Sequence, residues 1–386
     1  MTTATSGTLC YFHPRKNRSE PMSDNRRVYR TIRTTMRQLF PTEPKGNQAR
    51  MLTTLAAMVS GIVLGKSCQL PSIARKAPDR AKADSRIKRY SRWIQNERID
   101  YEGYYLPFVS QLLNHLASTR ELVFIIDGSE VGHECITLMI SLIYGHRTLP
   151  ITWLVVRGCK GHLSESLHLD VLSQLQAILP QDCQAIFLGD GEFDGIELQA
   201  ALQSLGLRYV CRTAKNTQMY EDEILFSFAD LCLRPGDQIS IPNVYFTLQG
   251  YGPVMVIAWW KRGYLDPIFL VTNFELCGEA CYWYKKRFQI ETFFSDQKSR
   301  GFYLHKSHLS DPERLSTLMI AACLAYLWIV YLGLVASRQN WVSVIHRSDR
   351  CDWSLFRLGL ALLDHLLNES LPIPVSFNLF DSRSVR

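Results

Sequence analysis

Two apolar runs in this chain end in an acid: Glu121-Leu-Val-Phe-Ile-Ile-Asp127 and Gln184-Ala-Ile-Phe-Leu-Gly-Asp190. Each reads as a buried strand closed by a carboxylate. A third carboxylate, Glu291, stands in the stretch from Tyr284 to Lys298, Tyr-Lys-Lys-Arg-Phe-Gln-Ile-Glu-Thr-Phe-Phe-Ser-Asp-Gln-Lys. Active groups gather at strand ends in open sheets. Asp127, Asp190 and Glu291 brought together would make an all-oxygen pocket, which suits Mg²⁺ or Mn²⁺. Two such ions about 3.5–4 Å apart can activate a water or a 3′-hydroxyl and stabilise the leaving oxygen of a phosphodiester.

The stretch around Glu291 carries cations as well. It has no Gly or Pro from Ala280 to Arg300 and reads as one helix. At about 100° per residue, with Tyr284 at zero, Phe288 falls near 40°, Glu291 near 340°, Lys298 near 320° and Arg287 near 300°. Phe294, Trp283 and Ile290 continue that arc. Lys285, Asp296, Gln289, Lys286 and Gln297 occupy the other, with Tyr282 and Phe293. Arg287, Glu291 and Lys298 therefore lie in the apolar stripe. Inward-facing charges need partners. An ion-pair network inside a large core is one reading. A site holding cations and phosphates is the other, with Arg287 and Lys298 supplying the anion contacts.

The elements that must position these groups follow from periodicity. Glu121–Asp127, Cys135–Tyr144, Leu149–Val156, Gln184–Asp190 and Arg208–Arg212 read as strands, with helices over Leu163–Leu179 and Phe193–Leu205. That order implies an α/β fold: a mixed sheet with helices on both faces. Short β runs fill 216–276, broken by Pro235-Gly236 and Gly250, and include the adjacent pair Trp259 and Trp260. Such tryptophans can stack on bases but serve more often as sheet core.

Ahead of the sheet lies a helical region. Residues 1–25 are polar and read as disordered. A basic helix over Asn25–Phe40 carries Arg26, Arg27, Arg30, Arg33 and Arg37. Further on, a helix, a Pro78-Asp79 break and a second helix give a helix-turn-helix outline. The second helix carries Arg86, Lys88, Arg89 and Arg92, a density suited to phosphates. Asp79 and Asp84 do not offset that run. A solvated face is the plainer alternative.

Bulk properties set limits. The 386 residues suffice for two or three domains. Net charge is +7 and 47% of residues are hydrophobic, as in a globular protein. The polar start lacks a signal-type apolar segment, and the 11 cysteines read as reduced thiols of a cytoplasmic protein. Cys277 and Cys281 lack zinc-knuckle spacing. Leu315–Ala336 has no charged residue and is long enough to span a bilayer, but reads better as a buried core helix, with no second such segment.

Tyr284-x2-Arg287-x3-Glu291-x6-Lys298 resembles the Y-R-E-K signature of the insertion-sequence-four family of DDE transposases. The likeness extends to Asp127, to Leu-Gly-Asp190-Gly-Glu-Phe and to the block beginning at Arg86, over about residues 45–370. It implies an RNase H-like catalytic domain with a β-rich insertion, preceded by an all-α DNA-binding region. It implies Asp127, Asp190 and Glu291 as the metal-binding catalytic triad, with Tyr284, Arg287 and Lys298 on transposon-end phosphates. The activity implied is cut-and-paste transposition of an insertion sequence by metal-dependent phosphodiester hydrolysis and strand transfer. The partners implied are double-stranded DNA, as terminal inverted repeats and target, and a second copy forming a homodimer in a paired-end complex, with no membrane. The corresponding divisions are a disordered 1–25, an end-binding region at 26–118, a catalytic domain at 119–213 and 277–340, an insertion at 214–276 and a helical region at 341–386. A catalytically inactive DNA-binding descendant is the alternative, against which the intact triad argues.

Overall fold

A computed structural model describes residues 22–379 except 41, 159, 162 and 348. Most of the segment expected to be disordered lies outside these residues. Helices come first: α1 (Asp24–Gln38), α2 (Gly46–Gly65), α3 (Leu70–Arg75), α4 (Ala83–Ile94), α5 (Tyr101–Tyr104) and α6 (Leu106–Ala117). Then follow β1 (Leu122–Gly132), β2 (Cys135–Tyr144), β3 (Arg147–Arg157), α7 (Glu165–Gln176), β4 (Ala185–Gly189), α8 (Ile196–Ser204) and β5 (Arg208–Arg212). The next stretch holds β6 (Gln218–Glu221), β7 (Ile224–Ser227), β8 (Gln238–Phe246), β9 (Tyr251–Trp259) and β10 (Ile268–Thr272). The chain closes with α9 (Cys277–Tyr284), α10 (Gln289–Gln297), α11 (Pro312–Arg338), α12 (Val342–Ile345) and α13 (Leu355–Asn368).

All ten strands form one sheet in the order β3-β2-β1-β4-β5-β10-β9-β8-β6-β7. β1, β4 and β5 run parallel, while β2 and β3 fold back as antiparallel hairpins. This is the mixed sheet expected of an RNase H-like fold. β1, β4 and most of β5 are apolar runs buried on both faces, as parallel strands must be. The strands after β5 are not a detached unit. β10 pairs antiparallel with β5, Leu270 opposite Arg212, and carries the sheet onward into β9 and β8.

α11 is the core helix. Asp311 caps it, its carboxylate accepting the Arg314 N–H at 2.9 Å, and Pro312 opens the first turn. Residues 318–330 are buried without a break. The helix packs on β3, α2 and α13, and Tyr326 donates to the Thr148 carbonyl at 3.2 Å. The core reading of Leu315–Ala336 matches this packing. α2 is a second helix long and apolar enough to cross a membrane, contrary to the expectation of one such segment; ten of its residues are buried, against α1, α3 and α11.

Candidate functional site

Asp127 lies inside a strand and not at its end, as the sequence suggested. β1 runs five residues further, paired with β2 through Asp127 opposite Met139 and beyond. Its parallel partner β4 stops sooner: the last pair is Ile125 opposite Leu188. Past that point the β4-side edge of β1 is free, and Asp127 emerges level with the turn that carries Asp190. That turn is tight. A side chain on Gly189 would meet Phe193 Cβ at 2.7 Å, so glycine lets the chain fold back under Asp190. Asp190 Oδ1 accepts the Glu192 N–H at 3.2 Å, which fixes its orientation.

The expected continuous helix over Tyr284–Lys298 is broken. α9 ends at Tyr284 and α10 starts at Gln289. Between them Lys286, Arg287, Gln289, Ile290 and Glu291 donate their N–H groups to carbonyls three residues back. Such turns hold three residues, so positions i and i+3 eclipse. Cys281, Tyr284, Arg287, Ile290 and Phe293 accordingly form one buried row. The change of pitch shifts the phase of everything after it. Phe288 and Glu291 turn outward, while Phe293, Asp296 and Gln297, assigned to the wet arc at 100° per residue, are buried. Asp296 meets Arg147 of β3 in a buried ion pair that anchors α10 to the sheet.

The buried row delivers Arg287 into the gap between β1 and β4. Its Nη1 lies 3.5 Å from Asp127 Oδ2 and 3.7 Å from Asp190 Oδ2, and its Nη2 lies 3.9 Å from Glu291 Oε1. One guanidinium is thus ringed by the three expected carboxylates. Asp127 is closed off from solvent, Asp190 partly so, and Glu291 stands open with 60% of its side chain exposed. Phe288 packs on the guanidinium at 4.4 Å. Tyr284 is buried behind it, its hydroxyl pushed up to about 12 by burial, with Arg287 and Arg212 opposing. Tyr284 therefore backs the site and does not face solvent.

Lys160, on the loop after β3, was not foreseen. Its Nζ lies 3.1 Å from Asp127 Oδ1. The only signal in the sequence is the glycine-flanked cation in Arg157-Gly-Cys-Lys160-Gly. Burial pushes the Asp127 carboxyl above its ordinary range; Lys160 opposes this, Asp190 adds to it and Arg287 opposes it. Burial likewise pushes the half-buried Lys298 ammonium down, with Glu130 and Asp127 opposing and Lys160 adding. Lys298 thus senses the charges of both Asp127 and Lys160. On the far side, a cavity of about 690 Å³ opens beside Asp190 and Arg287, walled by Arg212, Lys215, Trp260 and Phe269. Trp260 faces that cavity, whereas Trp259 is buried sheet core.

Among the described residues no three His, Cys, Asp or Glu side chains lie close enough to hold a metal; the acids surround a guanidinium instead. The donor set still fits a hard divalent ion, because it is all oxygen and its three carboxylates, from three separate elements, converge on one guanidinium.

The basic run on α4 divides in two. Arg86 Nε donates to Asp79 Oδ1 at 2.9 Å and its Nη1 to the Ala74 carbonyl at 3.2 Å; Arg89 Nη2 donates to Asp79 Oδ2 at 2.6 Å. Asp79 therefore offsets two of the four charges, because the α3–α4 turn folds it against both side chains. Lys88 and Arg92 remain exposed.

A family described as the transposase DDE domain matches residues 118–328. Curated proteins give no match. Among solved structures, a cryo-EM structure of the piggyBac transposase synaptic complex with hairpin DNA is 13% identical, with 90% of this chain and 80% of that one covered at a TM-score of 0.47. The family match spans more than half of the chain, including β1, the turn after β4 and α10 with their three carboxylates, and the chain belongs to the transposase DDE domain family.

Proposed function

We propose that this protein is a cut-and-paste DNA transposase of the insertion-sequence-four type that acts on terminal inverted repeats in the cytoplasm. The observation that carries the reading is the convergence of Asp127, Asp190 and Glu291, from three separate elements, on Arg287. These carboxylates would hold Mg²⁺ or Mn²⁺, which would supply a polarised phosphorus centre and an activated hydroxyl. The chain's own groups do the rest. Asp127 and Asp190 are held rigid by β1 and the Gly189 turn, while exposed Glu291 completes the set from the DNA side. Arg287 balances the acids and faces the path of a phosphodiester. Lys160 and Lys298 flank that path beside Asp127, and Arg212 flanks it beside Asp190. Buried Tyr284 holds the Arg287 side chain in place. Two copies, each carrying one triad, would pair the two transposon ends, with the helices before residue 118 gripping DNA and the strands over 214–276 extending the catalytic sheet.

The test uses purified protein, a plasmid carrying the DNA that flanks the gene, and either metal. Cleavage at the flanks by the native chain, absent in Asp127→Asn and Glu291→Gln, is expected. An inert native chain with both metals would overturn the reading.

A further inference from the structure

The basic helix α1 has no part in the site above, yet its arginines share one face. At about 100° per residue, Arg26, Arg30, Arg33 and Arg37 all fall within an arc of about 60°. Val28, Ile32 and Met36 lie on other arcs and are buried. Along the stripe Arg26, Arg33 and Arg37 are half-buried and Arg30 is exposed. Arg26, Arg30 and Arg33 line a cavity of about 410 Å³ between α1, α2 and the α3–α4 turn, and Arg89 reaches into it from α4. Thr53 and Thr54 of α2 add hydroxyls to the wall.

The arginines of α1 are not equally engaged. Arg27 turns away and donates to the Leu371 carbonyl at 2.6 Å, and Arg37 pairs with Glu43. Arg26 is fixed by the Pro78 carbonyl at 3.1 Å. Arg33 rests on Tyr29, 5.8 Å above its ring. Asp79 is the one acid lining the cavity, and Arg86 and Arg89 already occupy both of its oxygens. Among the described residues, Arg26, Arg30 and Arg33 have no carboxylate within ion-pair distance. Four guanidiniums converging on a concave surface with one committed acid leave a cationic excess that attracts an external anion. Guanidinium forks match the geometry of phosphate oxygens.

We infer that this cleft is a phosphate-binding site, separate from the triad, in which Arg30 and Arg33 are the principal ligands and Arg26 and Arg89 are held in position by protein contacts. The phosphate belongs either to a duplex DNA backbone or to a small polyphosphate. Only the first source rests on the transposase reading.

The test compares the full-length native chain with Arg30→Gln/Arg33→Gln and with a control pair, Lys66→Gln/Arg98→Gln, which removes the same charge elsewhere. Fluorescence anisotropy follows binding of a 30-base-pair duplex of arbitrary sequence across a salt series. Each lost phosphate contact flattens the slope of log affinity against log salt by about 0.9, so the cleft variant should lose about 2 and the control clearly less. Inorganic pyrophosphate is tested in parallel by thermal shift. A flattened slope in the cleft variant assigns the DNA backbone. An unchanged slope with loss of pyrophosphate protection assigns a small polyphosphate. If both are unchanged, if the control loses as much, or if the native chain binds neither probe, the inference falls. Triad-dependent cleavage is scored separately, so failure of the cleft leaves the transposase reading standing, and the reverse.

Discussion

Arg287 and Asp127 stand 160 residues apart in the chain and meet at 3.5 Å, both buried. The pair is the pin that joins the α9–α10 segment to the central strand. An isolated buried charge is costly, and Asp127 is balanced by buried Arg287 and by half-exposed Lys160. Arg287→Ala should therefore cost about 3–5 kcal/mol of stability, because it leaves Asp127 and Asp190 side by side with only half-exposed Lys160 beside them. A divalent ion can replace the lost positive charge. Mn²⁺ should then raise the melting temperature of the variant more than that of the native chain. Equal shifts in both would detach the guanidinium from the charge balance of the acids.

Singly replacing Asp127, Asp190 or Glu291 with Ala should reduce strand cleavage by at least 10³-fold, a loss of about 4 kcal/mol of transition-state stabilisation. Binding of duplex DNA should change little, since the acids do not contact the basic helices. Cleavage gels and gel shifts on the same preparations check both halves. A variant that still cuts normally with Mg²⁺ removes its residue from the set.

Lys160 is half exposed, so Lys160→Gln should alter stability by about 1 kcal/mol or less. Its effect belongs to pH. Lys160 pulls the Asp127 carboxyl down against burial. Without it that carboxyl ionises at higher pH, and the acidic limb of the cleavage profile should move upward. A profile superimposable on the native one would confine Lys160 to the surface.

Asp79 gives the opposite sign. Burial pushes its carboxyl up, but hydrogen bonds from Arg89, the Ala81 N–H and Arg86 outweigh this and hold it below its ordinary value. A carboxyl depressed on folding stabilises the fold above its unfolded value, near pH 4, and that stabilisation is lost as pH falls through the lower folded value. Asp79→Asn should cost about 1 kcal/mol at pH 7, allowing for its partial exposure, and almost nothing in strong acid. Melts at pH 7 and pH 2.5 check it; a cost that persists at low pH would mean packing, not charge, holds the α3–α4 turn.

Much of this was legible in the sequence, for physical reasons. β2 and β5 have the expected bounds because an apolar run closed by turn residues leaves little choice of ends. Asp127 and Asp190 stand out because acids seldom close such runs, and Glu291 because it falls in the apolar stripe of a helical stretch. The α9–α10 break was not legible. Nothing local forbids a helix through Lys285–Phe288, and the tighter pitch serves to bring Arg287 to two strands distant in sequence. Asp127 was misplaced at a strand end because β1 continues through Gly128, Ser129 and Glu130, which look like a turn until β2 is paired against them. The double use of Asp79 and the approach of Lys160 are likewise contacts between segments, which no period of one segment reveals.

The place of β10 bears on how the chain emerges from a ribosome. β5 is completed at Arg212, but its neighbour on the outer side is not made until Ile268–Thr272. For the whole interval a buried-type apolar strand has one unpaired edge, the arrangement most open to pairing with another chain. A product truncated anywhere in that interval would retain Asp127 and Asp190 but lack Arg287, Glu291 and the strand that seals β5. Such a fragment is expected to aggregate through the open β5 edge. Closure of the β5 edge and delivery of Arg287 and Glu291 to the candidate site therefore both wait on the chain beyond β9.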